Sequence, residues 1–305
     1  MAGPTPQYSL GVEIEMVSKP HKIRDNLGEK HALYYGKLAK ALRNRGLQAA
    51  HNDLTQQRWR STDYNKWYIT KDGSLGHHRD NFIPMEAVSP VLNTAKDWDK
   101  EIDTFWEAAR AVFHMPERHE KCGSHVHVSR GKYQQFTLDE LKTIGYGIVI
   151  YENLVFHLLM PYRQENPYCQ GNSVSSVQLQ NCRGNHIAIA NTIRAATSPD
   201  QLRNVMQTSR YVLWNFDNVA TGQSGTIEFR GGRFLRGEVR TKRWMTFAVA
   251  FIHAMLRIND LATSGVSIPD IDALYSEIKK AARQLRMKRF LPDQYQVLNE
   301  TLPST

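Results

Sequence analysis

Apolar and polar residues alternate from Tyr8 to Val17, and this alternation predicts a β-strand near the start of the chain. The even-numbered residues from Leu10 to Met16 would face a core, whereas Glu13 and Glu15 would project from the opposite face. Other extended segments are predicted at residues 66–70, 82–92, 124–130, 210–219 and 225–230. The sheet that these segments would form has one apolar face and one polar face.

Apolar residues that recur at helical spacing predict the helices. They are expected at residues 31–45, 95–113, 137–160, 239–261 and 269–289, with a shorter one beginning at Ser198. Several strands follow one another without the intervening helix that a doubly wound parallel sheet requires. The sequence therefore predicts an α+β fold, with helices packed on one side of a largely antiparallel sheet. The polar segment from Pro161 to Gln180 is a candidate active-site loop.

The composition is that of a globular protein, with 41% hydrophobic and 23% charged residues among 305. No apolar run reaches the roughly 18 residues that a membrane-spanning helix needs, and the first residues lack the pattern of a signal peptide. We therefore expect a cytoplasmic protein that does not enter a membrane. The net charge of +9 is compatible with nucleic acid or phosphate-bearing ligands, although part of it lies on the basic face of the last predicted helix.

Three further strands repeat the arrangement of the first, with polar groups opposite an apolar face. His125 and His127 alternate with valines. Glu228 and Arg230 alternate with apolar residues, and Glu86 interrupts an otherwise apolar run. If the polar faces converge, they form a trough rich in carboxylates, which repel one another unless cations lie between them. Carboxylate oxygens suit Mg²⁺ or Mn²⁺, so the pattern predicts a site for polyphosphate with such metal ions.

The usual glycine-rich phosphate loops are missing from the sequence. Neither GxxxxGK[ST] nor GxGxxG after a strand occurs, which disfavours a P-loop, a Rossmann fold or a kinase site. Taken one at a time, the polar pairs on the strands are also typical of a solvent-facing strand. Their recurrence on four separate strands is what favours a binding site.

Six short motifs occur in an order that resembles one protein family. They are GVEIE at 11–15, DGSL at 72–75, EAVSP at 86–90, CGSHVHV at 122–128, SRY at 209–211 with Asn215, and GTIEFR at 225–230. Each motif is weak alone. Their order and spacing, between about residues 8 and 235, are similar to those of amidoligase enzymes, which belong to the carboxylate-amine ligase superfamily with glutamine synthetase and glutamate-cysteine ligase.

The resemblance implies a glutamine-synthetase-type catalytic fold, in which an antiparallel sheet forms a funnel that binds ATP at one end. The catalytic domain would span residues 1–261, and residues 262–305 would form a helical extension packed on it. The implied reaction joins a small carboxylic acid to an amine or amino acid through an acyl-phosphate, with ATP and Mg²⁺ (or Mn²⁺).

The resemblance also implies a role for each residue of the site. The metal ligands would be Glu13, Glu15, Glu86, His125 and Glu228. His127 would lie near the ATP phosphates, and Arg230 would bind ATP and stabilise the transferring phosphoryl group. Arg210 and Arg163 would bind anionic groups of the substrate or phosphate. Asp72 would orient or deprotonate the amine, although a turn-forming role explains it equally well.

Two other functions remain open on the sequence alone. A metal-dependent hydrolase or oxygenase would use His125 and His127 with a third ligand, but the candidates His186 and His253 lie in no supporting motif. A non-catalytic protein would use the positive charge to bind nucleic acid or another anion, but this leaves the acidic face unexplained. We therefore expect small-molecule partners rather than nucleic acid or a membrane. Self-association into a homo-oligomer is compatible with the sequence.

Overall fold

The computed structural model describes residues 5–23, 30–52, 64–76, 81–131, 134–258 and 268–299. Within these ranges an open eight-stranded sheet forms the centre of the fold. Its strands are β1 (Ser9–Ser18), β2 (Ala49–His51), β3 (Trp67–Thr70), β4 (Ile83–Val88), β5 (Leu92–Asn93), β6 (Gly123–Ser129), β7 (Trp214–Asn215) and β8 (Ile227–Arg233). Their order is β2-β3-β4-β1-β6-β8-β7, and β5 pairs with the start of β1. All pairs are antiparallel except β2 with β3.

The described residues also form eleven helices, several of which cover the apolar face of the sheet. They are α1 (Lys30–Arg43), α2 (Trp98–Val112), α3 (Leu138–Ile150), α4 (Glu152–Leu158), α5 (Pro161–Gln164), α6 (Asn172–Ser175), α7 (Val177–Asn181), α8 (His186–Arg194), α9 (Pro199–Met206), α10 (Glu238–Ile258) and α11 (Ile271–Gln284). Helices α1 and α10 contact the strands directly, and α11 packs on α10. No described helix combines the length and apolarity that crossing a bilayer requires. The predicted α+β class with a largely antiparallel sheet is confirmed.

Large aromatic side chains join the sheet to its helices. Trp67 of β3 stacks on Phe105 of α2, with ring centroids 4.2 Å apart and planes 19° apart. Trp214 of β7 stacks in the same way on Phe251 of α10, with centroids 4.9 Å apart. All four side chains are fully buried, and such pairs contribute about 0.5–1.5 kcal/mol each beyond the area they bury. They hold one face of the sheet against the helices and leave the other face available for a site.

The predicted alternation along β1 is confirmed. The even-numbered residues from Leu10 to Met16 are at most 2% exposed and belong to the core, whereas Glu13 is half-buried on the opposite face. Because β1 pairs with β4 on one side and β6 on the other, it is the strand around which the polar groups assemble. Directly opposed residues on paired strands place their side chains on the same face, within reach of one another.

Several predicted elements differ from the structure. Residues 137–160 form two helices, α3 and α4, because the chain turns at Tyr151. Residues 210–219, predicted as one strand, contribute only β7, because Asn215 accepts a hydrogen bond from the backbone of Asp217 and starts a 3₁₀ turn. The candidate loop 161–180 contains the short helices α5, α6 and part of α7.

The sequence did not predict α8, which Asn185 begins by accepting a hydrogen bond from the backbone of Ala188. The proposed boundary between residues 261 and 262 lies outside the described residues, so the division into two parts stays a prediction.

A β-bulge in β8 sets the direction of the side chains around Arg230. The register between β6 and β8 shifts there, so that Val126 lies opposite Phe229 while Ser124 lies opposite Gly232. The backbones approach closely at that point, since a Cβ atom on Gly232 would lie 2.1 Å from Oγ and 2.5 Å from the carbonyl oxygen of Ser124. The bulge therefore requires glycine at this position.

We expect Gly232→Ala to lower the free energy of unfolding by roughly 1–3 kcal/mol, because the extra methyl group forces the paired strands apart. Gly73→Ala is the matched control, since its Cβ atom would meet nothing within 4 Å. Urea unfolding followed by tryptophan fluorescence measures both variants. Equal unfolding midpoints for the two would contradict the steric argument.

Candidate active site

Glu13 lies at the centre of the polar face, between two histidines of β6. Its Oε2 atom is 2.8 Å from Nδ1 of His125, and its Oε1 atom is 3.1 Å from Nε2 of His127. Burial alone would raise the pKa of the Glu13 carboxyl, but the charges and hydrogen bonds of His127 and His125 hold it well below its usual range. Burial lowers the pKa of His127, but Glu13 outweighs burial and raises it. Glu13 and His127 thus stabilise each other in charged form.

Two more carboxylates lie beside this pair. Glu15 of β1 is directly opposite Glu86 of β4. Glu15 Oε1 is 3.6 Å from Nε2 of His125, and Oε2 accepts a hydrogen bond from the backbone N–H of Gly123 at 2.5 Å. Burial raises the pKa of Glu86 well above its usual range, and the carboxylates of Glu13 and Glu15 raise it further. Burial also raises the pKa of Glu15. This part of the site concentrates more negative charge than its own cations balance.

Glu228 and Arg230 of β8 form a buried ion pair, with Oε1 and Nη1 2.6 Å apart and both residues about 5% exposed. The alternative of an ordinary surface ion pair is therefore wrong. Glu228 Oε2 also accepts a hydrogen bond from Asn215 Nδ2 at 2.7 Å, and Asn215 Oδ1 accepts one from Gln207 Nε2 at 2.6 Å. Burial raises the pKa of Glu228, but His127 and Arg230 outweigh it and lower the pKa. This network holds the orientation of both charged groups.

Two sets of three side chains bring their ligand atoms within 4.8 Å of one another. They are Glu13, His125 and Glu228, and Glu15, Glu86 and His125. The imidazole of His125 belongs to both sets, because Nδ1 faces Glu13 and Glu228 while Nε2 faces Glu15. Carboxylate oxygens with a single imidazole suit Mg²⁺ or Mn²⁺, and not the thiolate-rich tetrahedral sites of structural zinc. The excess of buried negative charge also fits divalent cations.

A cleft of about 310 Å³ opens over these groups. Eight of the ten predicted site residues line it, and these are Glu13, Glu15, Asp72, Glu86, His125, Arg163, Arg210 and Arg230. The remaining two, His127 and Glu228, contact the cleft residues Glu13 and His125 directly. The structure thus brings all ten predicted residues together.

The cleft also contains residues that the sequence analysis did not single out. Lys71 and Lys121 lie at its exposed rim, and Tyr168 and Tyr211 meet there edge to face, with centroids 5.0 Å apart. Both lysines directly precede one of the six motifs, so their place in the sequence was a usable signal. Gln207 does not directly precede a motif. Its side chain reaches Asn215 because α9 ends at this residue.

The predicted anion-binding and amine-orienting residues differ in their surroundings. Arg163 is only 2% exposed, and its Nη2 atom donates to the carbonyl oxygen of Arg230 at 2.5 Å, so it supports the backbone of β8. Arg210 is exposed and has no carboxylate partner among the described residues, so its guanidinium is available to an anion. Asp72 accepts hydrogen bonds from the N–H and Oγ of Ser74, which makes it a turn former that also faces the cleft.

A third histidine does not join the site within the described part of the chain. His186 is exposed at the start of α8. His253 of α10 is hydrogen bonded to Tyr8 Oη at 2.9 Å and to Gln284 Oε1 at 3.0 Å. Neither candidate imidazole is therefore the third ligand that the hydrolase or oxygenase alternative would use, and the groups beside the histidine pair are carboxylates, Glu13 first among them.

The class of protein that these features define is an α+β protein with an acidic cleft on the open face of an antiparallel sheet. The chain belongs to the family described as "Putative amidoligase enzyme", whose model matches residues 6–252. The resemblance found from the six motifs is confirmed, and the match includes every residue of the candidate site. No protein with a curated description matches the chain. Family membership indicates a ligase-type enzyme.

We expect Glu86→Gln to raise the melting temperature of the metal-free protein at about pH 8, and by less toward about pH 5. The pKa of Glu86 is higher in the folded protein than in the unfolded chain, so stability is lost as the pH rises through the folded pKa. Glutamine removes the charge that causes this loss. Thermal unfolding in the presence of a chelator measures the effect.

The control for this variant is Glu165→Gln, which removes an exposed carboxylate and should leave the melting temperature unchanged at both pH values. A melting temperature of Glu86→Gln that equals wild type at about pH 8 would contradict the charge argument.

Proposed function

We propose that this protein is an ATP-dependent carboxylate-amine ligase that forms an amide bond through an acyl-phosphate and releases ADP. One observation carries the proposal. Carboxylates and an imidazole from three strands meet Arg230 of a fourth strand in a single cleft, in a chain that belongs to the amidoligase family. The largely antiparallel sheet, with helices on one face and the cleft on the other, supports a glutamine-synthetase-type catalytic fold.

The two donor sets support binding of divalent cations in the proposed enzyme. The ligands would be Glu13, Glu15, Glu86, His125 and Glu228. Bound Mg²⁺ (or Mn²⁺) would neutralise the phosphates of ATP and align its γ-phosphate for transfer. His127, held by Glu13 and Thr226, would lie beside those phosphates. Arg230, oriented by Glu228, would stabilise the negative charge on the transferring phosphoryl group.

The proposed reaction has two steps. A carboxylate oxygen of the acid attacks the γ-phosphorus of ATP, and the bond from phosphorus to the bridging oxygen breaks as ADP leaves. The nitrogen of the amine then attacks the acyl carbon, and inorganic phosphate leaves with the former carboxylate oxygen. The amine nitrogen loses a proton, which Asp72 is placed to accept at the cleft wall. Tyr168, on the candidate active-site loop 161–180, and Tyr211 would limit the access of water to the acyl-phosphate.

The rim of the cleft supports an acid substrate that carries a second anionic group. Lys71, Lys121 and Arg210 are exposed there, and none of them forms a salt bridge within the described residues. One carboxylate must approach the γ-phosphate, so these cations would be free to bind a different anionic group at the far end of the same molecule. Such contacts orient the substrate for the first step.

Calorimetry should show that wild type binds ATP only in the presence of Mg²⁺, and that the double variant Glu13→Gln/Glu228→Gln has lost this binding. The reason is that the variant removes two of the three carboxylate or imidazole ligands in one donor set. The matched control is Glu107→Gln/Glu117→Gln, which makes the same change of charge with exposed residues. A folded wild-type protein that binds no ATP at any Mg²⁺ concentration would rule out the ligase.

An acid substrate can be identified by release of ADP with hydroxylamine as the amine, since the acyl-phosphate would give a hydroxamate. When the acid carries ¹⁸O in its carboxylate, we expect one labelled oxygen in the phosphate released. Arg230→Lys should lower kcat about 100- to 1000-fold while the label still transfers, because the lysine keeps the charge and loses the planar geometry. Amide formation with unlabelled phosphate would exclude the acyl-phosphate.

A further inference from the structure

Asn172 is a fully buried residue of α6, within the candidate active-site loop 161–180. Its Nδ2 atom donates hydrogen bonds to the carbonyl oxygen of Trp214 at 2.8 Å and to that of Met206 at 3.1 Å. Its Oδ1 atom accepts a hydrogen bond from the backbone N–H of Trp214 at 3.1 Å. The side-chain amide thus pairs with Trp214 as the backbone of a neighbouring strand would.

Both residues that this asparagine holds directly precede an amide side chain of the network around Glu228. Trp214 precedes Asn215, whose Nδ2 atom donates to Glu228 Oε2 at 2.7 Å. Met206 precedes Gln207, whose Nε2 atom donates to Asn215 Oδ1 at 2.6 Å. A single buried side chain therefore fixes the backbone from which both amides project.

The strand that carries Asn215 depends on such support because it is short. β7 contains two residues and is the last strand at one edge of the sheet. The loop pairs with the residues that lead into it, since the backbone of Gln170 donates to the carbonyl oxygen of Tyr211 at 3.1 Å and accepts from the N–H of Leu213 at 2.7 Å. A two-residue edge strand specifies its own register weakly, so the loop and Asn172 set the position of β7.

A buried carboxylate holds the loop in turn. Glu152 begins α4, is 3% exposed, and accepts hydrogen bonds from the backbone N–H groups of Asn172 and Ser173 and from Ser173 Oγ. A Cβ atom on Gly171 would lie 2.7 Å from Glu152 Oε2, so the carboxylate lies against the loop backbone. Burial raises the pKa of Glu152, and the hydrogen bonds from the loop oppose that rise. Residues 171–173 are therefore fixed to α4.

We propose that Asn172 is a positioning residue for the metal ligand Glu228, acting through Asn215 both directly and by way of Gln207. The proposal rests on the proposed function in one respect, that Glu228 is a ligand of a divalent cation. Neither Asn172 nor Glu152 is among the described residues that line the cleft, so the effect of either on a bound cation passes through other side chains. Loss of a partner that orients a metal ligand typically weakens metal binding by roughly 10- to 100-fold.

The test is calorimetry with Mn²⁺ alone, without nucleotide, on the full chain. Wild type should bind Mn²⁺, and Asn172→Ser should bind it roughly tenfold more weakly, because Asn215 loses its fixed backbone. Glu152→Gln places an amide donor against the N–H groups of the loop, so it should weaken binding in the same direction. This second variant serves if Asn172→Ser does not fold.

The matched control is Ser176→Ala. It removes another buried hydrogen bond of the same loop, from Ser176 Oγ to the carbonyl oxygen of Val205 at 2.5 Å, and leaves the contacts to β7 in place. Both Ser176→Ala and Asn172→Ser should unfold at a lower urea concentration than wild type. Only Asn172→Ser should lose affinity for Mn²⁺. Equal losses of affinity in the two variants would overturn the proposal, since the loop would then act only through overall stability.

A double-variant cycle tests the route from Asn172 to the metal ligand. Asn215→Ser alone should weaken Mn²⁺ binding, and the addition of Asn172→Ser should weaken it no further, because both changes release the same amide. Losses of affinity that multiply in the double variant would also overturn the proposal, since Asn172 would then act by a route that does not include Asn215.

The outcomes for this proposal and for the ligase are distinct. A folded Asn172→Ser with the Mn²⁺ affinity of wild type overturns the positioning role and leaves the ligase standing. A wild type that binds no Mn²⁺ overturns the positioning role as well, because Glu228 would hold no cation. The expected pattern with Mn²⁺, in a protein that binds no ATP at any Mg²⁺ concentration, would support the positioning role and rule out the ligase.

Discussion

The pairing of β1 with β4 and β6 is the constraint on which the rest of the structure depends. Its register sets Glu15 opposite Glu86 and Glu13 opposite His125. A slip of one residue would turn both carboxylates of β1 into the apolar core and move its apolar side chains into the cleft. The aromatic residues that pack the opposite face of the sheet against α2 and α10 oppose such a slip. They therefore protect the site, although they contact none of the site residues.

Much of this arrangement could be predicted because side chains alternate along a strand with a period of two. That period placed Glu13 and Glu15 on one face, and the same reasoning placed the histidines of β6 and the charged residues of β8. Periodicity could not give the contacts that depend on how loops cross the strands. Gln207, for example, reaches Asn215 from the end of α9, so its position follows from no local pattern.

Charged side chains of like sign lie close together in two places outside the apolar core. In the cleft, burial and the neighbouring carboxylates of Glu13 and Glu15 raise the pKa of Glu86. Beside α10, burial and the neighbouring arginines lower the pKa of Arg240. Buried groups of like charge weaken the fold in both places. Stability must then come from elsewhere, and the buried aromatic residues between sheet and helices supply it.

Gly123 links the acidic site to the end of β8. Its N–H group donates to Glu15, and its position on β6 lies opposite Arg233 of β8. The guanidinium of Arg163 lies over its Cα atom, and a Cβ atom there would be 3.2 Å from both Nη atoms of that arginine. A side chain at this position would displace Arg163, and Arg163 holds the carbonyl oxygen of Arg230. Close packing of two backbones and one guanidinium thus explains why a strand that carries catalytic candidates begins with glycine.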